Sequence, residues 1–328
     1  MEKEKMNSKA RFLTALSHQK PDRAPFNFWM DRRMMSDYEN KIGHRHWRVT
    51  GFGADVIETF AILEFPHGKM VDKDGTQWLE EIYLKDWNDV QYIPLPDASD
   101  EKVYELIRQD IKEFPDTAVI LDMPTAWGYI ANMRSYEHIY MDMLDHRDEF
   151  KILCRRISDV LNKTVEIACK SGITALYLME DLATTKGLSM SPAMIKEFCL
   201  DFAKEQADIA KSFGKPVLFH CCGKAIDLIP HLEYVGVDAI NPLQPHLNDL
   251  AEFKSKFGKR FALYGGLDNS FTIAKGTPQK VREHVLDVFE KVGDCDGALV
   301  FSSHDISVDT PAENIDMMIK TMQQECFY

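Results

Sequence analysis

Short apolar runs recur along the chain and alternate with longer amphipathic stretches. Most of these runs are almost continuously apolar, which is typical of strands that are covered on both faces in a parallel sheet. We therefore predict strands at residues 24–29, 54–59, 118–123, 174–179, 216–220, 238–241, 261–265 and 298–302.

The stretches between these runs repeat their apolar positions about every 3.6 residues, which predicts helices. The clearest of them are residues 147–171, 192–213, 247–257 and 278–292. Ser191-Pro192 and Thr310-Pro311 have the pattern of helix starts, because serine or threonine is a favoured N-cap residue and proline fits the first turn.

The alternation of eight predicted strands with helices over 328 residues favours a (β/α)8 barrel, and a doubly wound open sheet is the alternative. No glycine-rich dinucleotide fingerprint follows the first strand, which favours the barrel. Residues 68–83 alternate around Asp74-Gly75, which predicts a β-hairpin inserted after the second strand. No linker, repeat or low-complexity segment is visible, so we expect residues 1–328 to form one barrel domain.

The composition argues against several classes of protein. Lys and Arg total 39 against 52 Asp and Glu, and the net charge of −13 disfavours nucleic acid and anionic membranes as partners. No run approaches about 18 apolar residues, and the N-terminal residues lack the apolar segment of a signal peptide, which predicts a cytoplasmic protein without a membrane span. The seven cysteines are odd in number and lack the spacing of a disulfide scaffold, which also favours a reducing compartment.

The strongest local signal for chemistry follows the fifth predicted strand. In an extended chain residues i and i+2 face the same way, so His220 and Cys222 could bind one cation, and imidazole with thiolate suits zinc. Barrel active sites lie at the carboxyl ends of the strands, which makes His304, after the last strand, the candidate third ligand. Glu180 could be a further ligand or could orient the site. The spacing alone equally allows packed strand-end residues without a metal.

Other candidates follow neighbouring strands. Glu180 and Asp181 are adjacent carboxyl groups that could carry a proton, and a solvated turn is the alternative. The candidates for binding a flat apolar substrate lie near the ends of the first, third and sixth strands. These substrate-binding candidates are Trp29, Met123, Trp127, Tyr129 and Gln244. Core packing is the alternative for at least half of the aromatic residues.

Several segments, in this order along the chain, resemble the uroporphyrinogen decarboxylase superfamily. The resemblance covers nearly the whole chain and implies a (β/α)8 barrel. The segments that carry it are residues 11–16 (RFLTAL), 20–25 (KPDRAP), 180–183 (EDLA), 190–192 (MSP), 219–223 (FHCCG), 241–244 (NPLQ), 265–268 (GGLD), 303–306 (SHDI) and 310–314 (TPAEN).

The superfamily contains decarboxylases and cobamide-dependent methyltransferases, and the resemblance favours the second group. The decarboxylases carry Arg-Gln-Ala-Gly-Arg-Tyr after the first strand and a catalytic aspartate after the second. This chain has FWMDRRMM at residues 28–35, and Phe60 stands closest to the position of that aspartate. The methyltransferases that act on thiols hold zinc through His-x-Cys followed by glycine and a later cysteine. His220, Cys222 and Gly223 match, whereas His304 stands in the region of the later cysteine and leaves the third ligand open.

The resemblance implies a zinc-dependent methyltransferase that moves a methyl group from a small methoxylated donor, with an aromatic compound as a candidate, to a corrinoid protein. No Asp-x-His-x-x-Gly segment is present, so the corrinoid is expected on a partner protein. Three alternatives remain open: transfer from methylcobamide to a thiol or folate, decarboxylation of a tetrapyrrole, and a non-catalytic corrinoid-binding barrel. The sequence does not indicate the oligomeric state.

Overall fold

A parallel sheet of seven regular strands forms the centre of the computed structural model, which describes residues 5–73, 76–293 and 296–328. Neighbouring strands in the sheet follow one another along the chain, as the alternation of strands and helices predicts. The strands are β1 (Val56–Thr59), β2 (Ala118–Pro124), β3 (Ala175–Met179), β4 (Val217–Cys221), β5 (Ala239–Pro242), β6 (Ala262–Leu267) and β7 (Leu299–Ser303).

The first predicted strand, residues 24–29, is an extended segment rather than a regular strand, and it closes the ring between β7 and β1. Phe26 forms a parallel bridge with Phe301. On the other side, the Asp55 amide donates to the Phe26 carbonyl oxygen at 2.9 Å. Pro25 has no N–H to donate, which interrupts the regular ladder. The (β/α)8 barrel predicted from the sequence is therefore confirmed, with one irregular strand.

The predicted hairpin after β1 is present. Its strands, Lys69–Lys73 and Thr76–Glu81, pair in antiparallel fashion, and Asp74 and Gly75 of the predicted turn lie outside the described residues. Both ends of the hairpin are attached to one helix, because the Gly68 amide donates to the Asn132 carbonyl oxygen at 2.9 Å and the Tyr83 amide to that of Met133 at 2.8 Å. The hairpin is thereby held beside the carboxyl ends of the barrel strands.

Helices surround the sheet. They are α1 (Ser8–Leu16), α2 (Arg32–Ile42), α3 (Trp47–Phe52), α4 (Glu105–Glu113), α5 (Ala126–Arg134), α6 (Tyr136–Asp145), α7 (Arg147–Ser171), α8 (Pro192–Ile195), α9 (Asp201–Ser212), α10 (Ile229–Val235), α11 (Leu250–Lys256), α12 (Pro278–Val288) and α13 (Ala312–Gln324). Short 3₁₀ turns cover Trp87–Asp89 and Glu101–Tyr104, and π turns cover Lys196–Leu200, Asn269–Ile273 and Phe289–Gly293. The four helical stretches predicted from the apolar period all contain helices.

The two predicted helix starts have different outcomes. Ser191 is the N-cap of α8, and its side chain accepts a hydrogen bond from the Met194 amide, as predicted. The prediction for Thr310 is wrong, because the N-cap of α13 is Pro311, which offers no capping side chain. The Thr310 hydroxyl is buried without a hydrogen-bond partner among the described residues. Pro311 keeps a non-helical ψ of 132°, so the helix begins one residue too late for Thr310 to cap it.

Alternation along the strands separates an apolar layer from a polar layer inside the barrel. Apolar inward-facing residues of the strands, Ile120 and Leu218 among them, pack with residues of α1 in one buried cluster. Two residues further along their strands stand Asp122 and His220, which face the same way because side chains alternate with period two. The carboxyl end of the barrel interior is therefore polar.

Asp55 organises the opposite end of the barrel, just before β1. Its side chain is fully buried, and both carboxylate oxygens are hydrogen-bonded. One oxygen accepts from Arg11 at 2.6 Å, and the other accepts from Arg23 at 2.7 Å and from the Phe26 amide at 2.9 Å. Arg11 is paired as well with Asp22 at 2.7 Å. These contacts tie α1 and the closing segment to the first regular strand.

No helix in the described part of the chain is both long and apolar enough to cross a membrane. The six cysteines that the structure describes are all free, and Cys295 lies outside the described residues.

Candidate active site

His220 stands at the carboxyl end of β4 with one ring nitrogen fixed by the barrel. Its Nδ1 lies 2.6 Å from Asn241 Oδ1. The orientation of that amide follows from its other end, where Asn241 Nδ2 donates to the Tyr264 carbonyl oxygen at 2.7 Å. Since Oδ1 can only accept, Nδ1 of His220 carries a proton, and Nε2 is the nitrogen that faces Asp181 and could bind a cation in place of a proton.

The structure brings the three predicted metal-ligating residues together. One ligand atom from each of His220, Cys222 and His304 lies within 4.8 Å of the other two. Three ligands of a tetrahedral zinc ion stand about 3.3–3.8 Å apart, as follows from ordinary Zn–N and Zn–S bond lengths. Small side-chain movements would therefore let these donors reach one ion.

A tight turn after β4 positions Cys222. Gly223 has φ 85°, and a Cβ atom there would lie 2.8 Å from the Thr184 carbonyl oxygen, so the turn favours glycine. The Gly223 amide donates to Gln244 Oε1 at 2.9 Å, and Asn248 Nδ2 donates to the Gly223 carbonyl oxygen at 2.9 Å. The buried Gln244 thus supports the turn, and its position does not support the predicted contact with substrate.

His304 is less firmly oriented than His220. Its Nδ1 accepts a hydrogen bond from the Asp305 amide at 2.8 Å, so the neutral ring carries its proton on Nε2. Burial lowers the pKa of His304, which keeps the ring neutral near pH 7. To bind a cation through Nε2, the ring has to give up the contact with Asp305 or turn over.

The adjacent carboxyl groups of Glu180 and Asp181 have opposite environments. Glu180 is buried at the N-terminus of α5, where Oε1 accepts from the Thr125 amide at 2.7 Å and the Gly128 amide at 3.2 Å. Burial raises the pKa of Glu180 to about 8 despite these hydrogen bonds, so the group is largely neutral at pH 7.

Asp181 is half exposed and faces the candidate metal ligands. Its Oδ1 lies 3.0 Å from Cys222 Sγ, which donates, and 3.6 Å from His220 Nε2. Burial acts to raise the pKa of Asp181, but the interactions with His220 and Cys222 outweigh it and hold the pKa well below the usual range. One carboxyl group that keeps its proton therefore lies beside one that is ionised, a pairing common at acid–base sites.

Two cavities open beside these residues and share Asn132. The smaller has a volume of about 170 Å³ and is lined by Tyr136, Glu180, Asp181 and His220, among others. The larger has a volume of about 550 Å³ and lies under the hairpin. Its lining includes Arg32, Phe65, His67, Met70, Tyr129 and Asn132.

The aromatic and apolar residues predicted to bind substrate have different positions. Tyr129 lines the larger cavity, so it stays a candidate for substrate binding. Trp127 is fully buried against the rings of Tyr136 and Tyr140, and Met123 is also buried, so both belong to the core. The structure therefore does not support the prediction that these two contact substrate.

Trp29 takes part in a polar network inside the barrel. Its indole N–H donates to Glu58 Oε1 at 3.1 Å, and the same oxygen accepts from Tyr264 at 2.9 Å and Asn27 at 3.0 Å. Arg48 donates to the other oxygen at 3.2 Å. Trp29 therefore orients Glu58, and it lines neither of the two cavities described above.

The sequence interpretation missed most residues of the larger cavity. Arg32 begins α2, Phe65 and His67 lie in an irregular segment before the hairpin, and Met70 is in the hairpin itself. None follows a barrel strand directly, and residue pattern alone gives no signal that brings these segments to one place.

Comparison with known proteins identifies the family. The sequence pattern of the uroporphyrinogen decarboxylase (URO-D) family matches residues 69–325. The chain belongs to the URO-D family. Its relatives in this family include a uroporphyrinogen decarboxylase of Vibrio campbellii, 24% identical over 251 residues, which cover 72% of this chain and 68% of the relative. A uroporphyrinogen decarboxylase of Aeromonas salmonicida is 22% identical over 257 residues, 74% of this chain and 69% of the relative.

A solved structure shares the fold of this URO-D family member over its whole length. It is a methyltransferase from Methanosarcina mazei, which superimposes with a TM-score of 0.76 and covers 98% of this chain and 99% of its own. The sequence identity is 15%, so the likeness establishes a common barrel fold. The chemistry has to be argued from the site.

Proposed function

We propose that this URO-D family member is a zinc-dependent methyltransferase that moves a methyl group from a small methoxylated donor to a corrinoid carried by a partner protein. The observation that carries the proposal is the convergence of His220, Cys222 and His304 at the carboxyl ends of the strands. Two imidazoles and one thiol form a donor set that suits zinc, and three protein ligands leave a coordination position open for a substrate.

The surroundings of the cluster fit a metal. Asn241 accepts from Nδ1 of His220 and fixes the ring so that Nε2 would meet a metal, which is the usual arrangement of a metal-binding histidine held by a second hydrogen bond. Bound zinc would supply a Lewis acid that withdraws charge from the oxygen of the donor.

Residues of the chain are placed to handle the protons that move during the proposed transfer. During transfer the C–O bond of the donor breaks, the methyl carbon bonds to the reduced cobalt of the partner, which provides the electron pair, and the donor oxygen takes a proton. Glu180 lines the smaller cavity and retains a proton near neutral pH, so it is suited to supply that proton. Cys222 Sγ donates to Asp181 Oδ1 at 3.0 Å, so Asp181 lies where the thiol proton would leave when Cys222 binds a metal.

The same geometry gives little support to decarboxylation of a tetrapyrrole. Phe60, the residue closest to the expected catalytic aspartate, is apolar and 55% exposed. The two cavities beside Glu180 hold about 170 and 550 Å³, and among their described lining residues Arg32 is the one lysine or arginine. A porphyrinogen with several carboxylates needs several such cations.

The test is zinc content followed by a transfer assay. Protein purified without chelator should contain about one zinc per chain by elemental analysis, and Cys222→Ala should lose it. Cys169→Ala, which removes a thiol away from the candidate site, is the matched control and should keep the metal. The wild type should then methylate reduced cobalamin from methoxylated aromatics. Methyl transfer only from methylcobalamin to thiols would reverse the proposed direction, and absence of zinc after reconstitution would refute the proposal.

A further inference from the structure

The larger cavity contains an arginine whose charge is not neutralised by a contact. Arg32 is the first residue of α2 and is exposed. Within residues 5–73, 76–293 and 296–328 it makes no hydrogen bond or ion pair. Its neighbour Arg33 differs, because it pairs with both oxygens of Asp31, at 3.0 and 3.1 Å. Asp305 is near enough to feel the charge of Arg32 but does not contact it.

The rest of the larger cavity suits a flat apolar body. The rings of Phe65 and Tyr129 lie with their centroids 4.1 Å apart and their planes tilted by 38°. Met70, from the hairpin, adds a flexible apolar side chain. A volume of about 550 Å³ accommodates a single aromatic ring with substituents.

His67 adds an acceptor to this cavity. Its Nδ1 donates to the Gly68 carbonyl oxygen at 2.7 Å, which leaves Nε2 with a lone pair. The cavity therefore combines one cation, one acceptor and an aromatic wall, which is a pattern that holds a ligand in one orientation.

Asn132 connects this cavity to the candidate metal centre. It lines both cavities, and the smaller one reaches Glu180, Asp181 and His220. A ligand whose ring lies against Phe65 and Tyr129 could therefore extend a short substituent toward the candidate metal ligands.

We propose that the methyl donor is an aromatic methyl ether that carries a carboxylate. The carboxylate binds Arg32, the ring lies against Phe65 and Tyr129, and the methoxy group enters the smaller cavity. Arginine favours this role because its guanidinium presents two parallel N–H groups to a carboxylate. The inference rests on the proposed function and specifies the substrate class of the same site.

The decisive experiment measures binding without methyl transfer. The 2-, 3- and 4-methoxybenzoates and the corresponding neutral methoxybenzamides are titrated calorimetrically into wild type, Arg32→Ala, Arg32→Lys and Arg33→Ala. At least one acid should bind more tightly than its amide in the wild type. Arg32→Ala should weaken that acid about tenfold or more, since a charge-assisted hydrogen bond is lost, and should leave the amide unchanged. Arg32→Lys should restore part of the affinity, and Arg33→Ala should behave as wild type.

Three results would overturn the inference. They are equal weakening of acid and amide by Arg32→Ala, the same loss of acid binding in Arg33→Ala, and failure of all three acids to bind the wild type. The proposed function fails separately. If the acids bind through Arg32 but zinc-loaded protein does not demethylate them with reduced cobalamin, the pocket is an aromatic-acid site and the methyltransferase proposal is wrong. If the methoxybenzoates are demethylated equally by wild type and Arg32→Ala at limiting donor concentration, the reaction stands and the binding of the carboxylate by Arg32 does not.

Discussion

At the amino-terminal end of the barrel strands, the buried carboxylate of Asp55 has every oxygen occupied by a donor, whereas at the carboxyl-terminal end His220 and Cys222 turn donor atoms toward a shared space. Both groups are buried or half buried. At the amino-terminal end, Arg11 and Arg23 neutralise the charge of Asp55. At the carboxyl-terminal end, the donor atoms of His220 and Cys222 could still bind a ligand.

The difference indicates that the role of a buried polar cluster depends on whether all of its donors and acceptors already have partners. A saturated network stabilises the fold because every polar atom has replaced its water partners. A cluster with free lone pairs costs stability unless something binds there, and it is a candidate for function. By this criterion Asp55 is a stabilising residue, and His220 and Cys222 are candidates for chemistry.

Asp55→Ala should show the largest difference between the two ends of the barrel, because it should lower the free energy of unfolding without changing zinc binding. The change leaves the guanidinium of Arg23 buried without its carboxylate, and breaking a buried pair typically costs about 3–5 kcal/mol. Denaturant unfolding should show that loss, while the fraction that stays folded should bind zinc as the wild type does. A loss of zinc affinity in the folded fraction would mean that the two ends are coupled.

Glu180→Gln should have the opposite effect, slowing the reaction while leaving the stability of the fold almost unchanged. The amide keeps an oxygen for the Thr125 and Gly128 N–H groups and resembles the neutral acid, so the free energy of unfolding at pH 7 should change little. The side chain can no longer give up a proton, and methyl transfer should slow by about a hundredfold. Steady-state kinetics with zinc content measured in parallel checks this. An unchanged rate would remove Glu180 from the reaction.

Asn241→Ala tests how much the barrel contributes to the cluster. Loss of the partner of His220 Nδ1 should weaken zinc binding by about 10–100-fold, as for other residues that orient metal-binding histidines. Chelator competition measures the affinity. Tyr177→Phe removes the hydroxyl that donates to Asn241 at 2.7 Å and lies 3.3 Å from His220 Nδ1 but leaves Asn241 in place, so it should cause a smaller loss. Equal losses would show that the amide of Asn241 adds nothing beyond this hydroxyl to the orientation of His220.

The smallest expected effect is on the pH dependence of stability, through Asp22 at the amino-terminal end of the barrel. Burial acts to raise the pKa of Asp22, but the hydrogen bonds from Arg11 and from backbone amides outweigh it and hold that pKa well below its usual value. The folded carboxyl therefore stabilises the protein above the ordinary pKa of about 3.9, and this contribution disappears as the pH falls through the lower folded value. Asp22→Asn should unfold with a weaker dependence on pH in the acid range. An identical pH dependence would remove Asp22 from the stabilising network.

The sequence predicted which residues meet at the carboxyl ends of the strands better than it predicted the cavities beside them. Strands can be recognised from apolar runs, and period two then places His220 and Cys222 on one side of the chain. His304 could be added because all strands of a barrel end on the same face. Each of these steps depends only on local pattern and the regular geometry of parallel strands.

The larger cavity could not be predicted in this way, because the segments that line it belong to none of the barrel strands. The position of Phe65 depends on an irregular segment, and that of Met70 on a hairpin attached to α5 through the Asn132 carbonyl. The same limit explains Trp127, since the sequence of α5 does not reveal which of its faces meets the core. It also explains Gln244, whose role depends on the Gly223 turn after the preceding strand, 21 residues earlier in the chain.

The irregular strand that closes the barrel has a consequence for synthesis. One edge of this segment pairs with residues just before β1, but Trp29 meets its partner Ser303 only 274 residues later. At 5–20 residues per second, the ribosome needs roughly 14–55 s to make that partner. During this interval the segment is an open edge that other chains could join. Pro25, which cannot donate a backbone hydrogen bond, makes that waiting edge a poorer template for aggregation.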